Sequence, residues 1–125
     1  MCIKKLADSF KYAGQGLKAT YIKERNFRVH CMAVVAVVVA GVIFGISFVE
    51  WAVVILTSGF VISAEMANTA IEKLVDMITK EYSEDAKLVK DISAGFVLVA
   101  AIAAAVVGIF IFAKYFLRLL GVQYV

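Results

Sequence analysis

The sequence predicts an all-α integral membrane protein, an amphipathic surface helix followed by three transmembrane helices. Three observations lead there. Hydrophobic residues make up 63% of the 125 positions and the mean hydropathy is +0.92, so the chain is too apolar to cover itself with a polar surface in water. Proline is absent, which leaves uninterrupted helices as the backbone form that satisfies its own N–H and C=O groups in lipid. The apolar residues also come in solid blocks of spanning length, not in the short alternating segments of barrel strands, and a lipid-facing barrel is excluded.

Residues 1–28 hold Lys4, Lys5, Lys11, Lys18, Lys23, Arg25 and Arg28, interleaved with Leu6, Phe10, Tyr12, Leu17, Tyr21, Ile22 and Phe27. That is the pattern of an amphipathic helix lying on a membrane, and its aromatic and aliphatic residues recur too often for a disordered basic arm. From 31 to 49 no charge appears, and these 19 residues suit a span of ~20. Glu50 and Trp51 are expected to form a very short turn, with the indole at the interface. The next uncharged run, 51–64, has only 14 residues, short of the ~20 a crossing needs. The second span therefore continues through Glu65, over 51–78. A polar connection covers 79–91, and 92–113 supplies a third span within one membrane-embedded domain, 1–125.

Seven Lys and Arg precede the first span and Lys73, Lys80, Lys87 and Lys90 flank the connection, against Lys114 and Arg118 beyond the third span. The positive-inside rule then places the N-terminus in the cytoplasm and the C-terminus outside. With a net charge of +3 and basic residues gathered where anionic headgroups lie, nucleic acid is not an expected partner. Cys2 and Cys31 read as reduced thiols, and the first apolar run begins too late for a cleaved secretory signal. Gly41 and Gly45 make a G-x-x-x-G pattern, and Ser58, Gly59, Ala94, Gly95 and Gly108 add small residues, so close helix packing is expected. Three short helices enclose little of a site, which predicts a homo-oligomer sharing residues between subunits.

The chemistry sits in the second span and its extension. At about 100° per residue, Glu65, Asn68, Glu72 and Asp76 fall within an arc of roughly 80° on one helix face. Ala67, Ala70, Ile71, Leu74, Val75 and Ile78 occupy the other. An ionisable group at membrane depth costs at least ~2.5–3.5 kcal/mol, so Glu65 marks a functional site. No Walker loop and no soluble-kinase set of Gly-rich loop, H-R-D and D-F-G occurs, which excludes the standard nucleotide folds. A small proton-coupled transporter would also use an intramembrane glutamate. It has no need, however, of a second acid at Glu72 with Glu24, or of Lys90-Asp91. A scaffolding subunit would leave the acidic face without a task.

The run E-M-A-N-T-A-I-E-K-L-V-D, Glu65 to Asp76, resembles the signature of the prokaryotic diacylglycerol kinase family. Gly16-Leu17, the E-x-x-F-R of Glu24 to Arg28, and Lys90-Asp91 match further family elements in order and spacing, so the likeness covers nearly the whole chain. S-F-K-Y-A at Ser9 to Ala13 and R-N-F-R-V-H at Arg25 to His30 look like the Gram-positive branch, whose usual substrate is undecaprenol. The diacylglycerol-preferring branch has an acidic residue where this chain has His30. The resemblance implies a trimeric lipid kinase of the bacterial plasma membrane, using ATP and Mg2+ to phosphorylate a membrane alcohol, undecaprenol or else diacylglycerol. It implies Glu24 and Glu72 as the metal pair, which suits a small hard cation that takes one or two carboxylates. It implies Glu65 as the base for the lipid hydroxyl, oriented by Asn68. For ATP it implies Tyr12, Glu24, Glu72, Asp76, Glu81, Lys90 and Asp91, with Asp91 and Glu81 holding Lys90 or the nucleotide. The lipid falls to Lys5, Arg28, His30 and Glu65, with Tyr12 also near the headgroup end. His30, the only histidine, reads by itself first as an interfacial packing residue, then as a pH switch or phosphate contact.

Overall fold

The computed structural model describes residues 2–122. It is all-helical, with α1 (Cys2–Lys23), α2 (Arg25–Phe44), α3 (Phe48–Ile78) and α4 (Glu84–Leu119). The last three are long and apolar enough to cross a membrane. α3 packs mainly on α4, and α2 on α3. One apolar cluster joins Val61 and Ala64 of α3 to Val97 and Ala100 of α4. A second gathers Ile46, Val54 and Ile111 with Phe44, Trp51 and Phe112 at the other end. Most large apolar side chains outside these seams are exposed, among them Val42, Ile55, Leu56, Ile102 and Phe110, as suits helices whose solvent is hydrocarbon.

The expected surface segment 1–28 is cut at Glu24, whose backbone is extended (φ −105°, ψ 115°). Arg28, in the first turn of α2, donates from Nη1 to the carbonyls of Tyr21 and Ile22 at 2.9 Å each. It thereby satisfies the free carbonyls at the end of α1, and the first spanning helix begins at Arg25, ahead of the uncharged block.

The turn expected at Glu50 and Trp51 lies earlier, over residues 45–47. Gly45 takes the left-handed conformation (φ 62°, ψ 50°) that ends α2. Ser47 caps α3: its hydroxyl accepts from the Glu50 N–H at 3.2 Å, while Glu50 Oε2 accepts from the Ser47 N–H at 2.8 Å. This reciprocal S-x-x-E box specifies a helix start more strongly than the charge of Glu50 specifies a turn. Glu50 is then held by Lys114 (Nζ to Oε1, 2.5 Å) and by Tyr115, whose hydroxyl donates to Oε2 at 2.6 Å.

Of the G-x-x-x-G pattern, only Gly41 serves the close packing of helices, between α2 and α3. Gly45 is the cap, and Gly41 receives the indole of Trp51, which lies so close that a Cβ there would stand 2.8 Å from Cη2. Gly59, Gly95 and Gly108 have no neighbour within 4 Å of where a Cβ would sit.

α4 begins well before the uncharged block. Ser83 accepts from the Ala86 N–H at 3.4 Å, and Glu84 and Asp85 occupy the first turn, where acids favour a helix N-terminus. The polar connection shrinks to 79–83, so Lys87, Lys90 and Asp91 stand on a helix rather than in a loop.

Candidate active site

From Glu65 to Asp76, α3 rises about 16 Å at 1.5 Å per residue. At the inner end Glu65 is buried, 3% exposed, with Oε2 at 3.7 Å from His30 Nε2 of α2. His30 of α2 and Glu65 of α3 thus face each other at this depth. One turn further along, Asn68 Nδ2 donates to Glu72 Oε1 at 3.1 Å, and Asn68 Oδ1 accepts from Ser93 Oγ of α4 at 2.7 Å. Asn68 was expected to orient Glu65; its amide instead holds Glu72, its neighbour at i+4 on the same face.

Glu24 makes no side-chain capping bond to α2. Its carboxylate lies across from α3, where Lys73 Nζ is 3.9 Å from Oε1. Glu24 and Glu72 thus offer hard anionic oxygens at the edge of the site, one of them steadied by an amide. Among the described residues no three His, Cys, Asp or Glu side chains form a metal-holding group. Magnesium does not need one, because it keeps waters and phosphate oxygens and takes only one or two carboxylates. The donor set fits it.

Cavities open at both ends of this face. An apolar groove of about 280 Å³ runs between α2, α3 and α4 below His30, lined by Val34, Val37, Thr57, Val61 and Ala104 among others. A polar cleft of about 580 Å³ lies at the α3–α4 connection, lined by Asp76, Lys80, Glu81, Tyr82, Lys87, Lys90 and Asp91. Within it Lys90 Nζ meets Asp76 Oδ1 at 2.5 Å and Lys87 Nζ meets Asp91 Oδ2 at 2.6 Å. Lys90 is therefore held from α3 by Asp76, not by Asp91 or Glu81. Adjacent positions on a helix point about 100° apart, whereas Lys87 and Asp91 share a face.

Not every expected residue joins the site. Arg28 is committed to the carbonyls of α1, and Lys5 and Tyr12 are exposed on α1. Among the described residues no side-chain hydrogen bond or ion pair links either to the Glu65 cluster. Two side chains enter that the sequence did not single out for the site. Lys73, beside Glu72, carried a local signal in its charge. Ser93 carried none, because 25 positions separate it from Asn68.

Residues 11–112 match the family model described as prokaryotic diacylglycerol kinase. The chain is 41% identical over 104 residues to the undecaprenol kinase of Bacillus subtilis (strain 168), covering 83% of this chain and 85% of that protein. It is 44% identical over 101 residues to a diacylglycerol kinase of Synechocystis, covering 80% of this chain and 58% of that longer protein. The diacylglycerol kinase of Escherichia coli (strain K12) is 34% identical over 95 residues, 76% of this chain and 78% of that one. Nothing in these relatives supports the transporter alternative. The chain is an enzyme of the lipid-kinase class, and it belongs to the prokaryotic diacylglycerol kinase family.

Proposed function

We propose that this protein transfers the γ-phosphoryl group of ATP, with Mg2+, to the hydroxyl of undecaprenol in the bacterial plasma membrane. The observation that carries the reading is the single face of α3, which connects an apolar groove at His30 to a polar, lysine-bearing cleft at the α3–α4 connection. A lipid alcohol entering from the hydrocarbon side and a nucleotide from the aqueous side would meet along Glu65, Asn68 and Glu72. Glu65 accepts the hydroxyl proton, since its burial keeps water from taking that role. Glu24 and Glu72 would hold the magnesium, which would supply positive charge to offset that of the phosphates. Lys90, positioned by Asp76, presents a point charge to the phosphates, and Asp91 and Glu81 border the same cleft.

The basic N-terminal segment, Glu24 and the cleft lie at one end of the helices, the end assigned to the cytoplasm, where ATP is available. The C-terminus then lies outside. Lys5 and Tyr12, exposed on α1, would serve the lipid and nucleotide across a subunit boundary. This agrees with a homo-oligomer, a trimer by family resemblance.

The lipid assignment rests on His30. A histidine beside Glu65, with Arg25 and Arg28 at the entrance, makes this mouth more positive than one carrying an acid and makes few demands on a glycerol headgroup. The likeness to the Bacillus protein named undecaprenol kinase supports it. The second reading, diacylglycerol as the preferred acceptor, draws on the Synechocystis relative. Purified protein with magnesium, labelled ATP and each lipid in one mixed-micelle system separates the two. The expected result is a higher kcat/KM for undecaprenol with weaker turnover of diacylglycerol. A tenfold preference for diacylglycerol, about 1.4 kcal/mol of transition-state binding, would overturn the lipid assignment and leave the kinase standing.

A further inference from the structure

Ser93 stands inside α4, is 4% exposed, and touches neither cavity described above. A serine within a helix commonly returns its hydroxyl proton to the carbonyl four residues back. Ser93 instead donates across to α3, to Asn68 Oδ1 at 2.7 Å. Asn68 Nδ2 in turn donates to Glu72 Oε1 at 3.1 Å. The order of donors in this chain is determined by charge. Were the amide reversed, its oxygen would face the carboxylate of Glu72, two acceptors with no proton between them. The NH2 group must therefore face Glu72, and the oxygen must face α4, where it lies part-buried and takes a donor. Ser93 supplies it from the helix that also carries Lys90 and Asp91.

We infer that Ser93 is a positioning residue for the kinase reaction: its hydroxyl locks the Asn68 amide so that Glu72 is presented to the metal in one orientation. The inference rests on the proposed role of Glu24 and Glu72 as magnesium ligands and extends it to α4, so that the packing of α4 on α3 also sets the metal site. Partners that orient a ligand from behind are commonly worth 10–100-fold in metal affinity.

The test reads metal binding apart from turnover, using Mn2+ as a magnesium probe, titrated into the full-length protein in micelles and followed by electron paramagnetic resonance. Ser93→Ala is expected to weaken Mn2+ binding by about tenfold, and Ser93→Thr, which keeps the hydroxyl, to recover most of it. Because Ser93 acts through Asn68, Ser93→Ala combined with Asn68→Ala should bind no more weakly than Asn68→Ala alone. If Ser93→Ala does not fold, Ser93→Cys, with a similar shape and a weak donor, is measured in its place. A serine that merely packs would change the melting temperature and leave the isotherm in place; that result, or losses that add in the double variant, overturns the inference. Glu72→Gln separates the two levels. If it also leaves Mn2+ binding unchanged, the metal assignment fails and takes this inference with it. If it weakens binding while Ser93→Ala does not, only the role of Ser93 fails.

Discussion

Replacing Glu65 with glutamine exchanges one carboxylate oxygen for an NH2 group and leaves the side chain's volume in place. The site tolerates the change structurally, because an amide of the same shape fills the space the carboxylate occupies beside His30. What it cannot do is accept the proton of a lipid hydroxyl. The Glu65 side chain is only 5% exposed, so bulk water is not at hand to replace it. A positioned general base is worth about 10²–10⁴ in rate, which at 1.36 kcal/mol per decade is about 2.7–5.4 kcal/mol on the barrier. The expected outcome in the mixed-micelle assay is a fall in kcat of that size with little change in the KM for ATP, since Lys90 and the polar cleft are untouched. The magnesium half-saturation should also hold, because Glu24 and Glu72 remain. A kcat within about tenfold of the parent, in protein whose melting temperature is unchanged, would remove Glu65 from proton transfer and refute the reasoning.

Glu24→Gln and Glu72→Gln should each raise the magnesium concentration needed for half-maximal activity, because either change removes a hard anionic ligand; unchanged titrations in both variants would end the metal assignment. Gly41→Ala should destabilise the protein by about 1–3 kcal/mol through overpacking, because the new Cβ would lie 2.8 Å from Trp51 Cη2 and 3.1 Å from Ile46 Cδ1. Trp51 is the only tryptophan, so its fluorescence reports the displacement directly, and an unaltered spectrum and melting curve would show that the contact yields freely.

The membrane class, the number of spans and the face bearing Glu65, Asn68, Glu72 and Asp76 were legible because they depend on composition and on the 3.6-residue period, both local properties. The boundaries were less so. Charged residues do not end the helices: α2 begins among them and α4 takes in Lys87, Lys90 and Asp91, because capping and first-turn electrostatics act below the scale of a hydropathy window. The Ser47–Glu50 box was present in the sequence and readable in principle; it was overshadowed by the stronger hydropathy signal.

What the sequence determined by itself was therefore a set of residues on one helical face, together with the kinase family whose pattern they repeat. Which partner each residue takes was decided only by tertiary structure. Asn68 gives its NH2 group to Glu72 and takes the hydroxyl of Ser93 from α4 on its oxygen. Lys90 found Asp76 rather than its neighbour Asp91, and Arg28 was drawn to the end of α1. The physical reason is that hydrogen-bond and ion-pair partners follow distance and direction in space. Helix packing brings together groups that lie 14 and 25 positions apart along the chain, and neither separation leaves a trace in local periodicity.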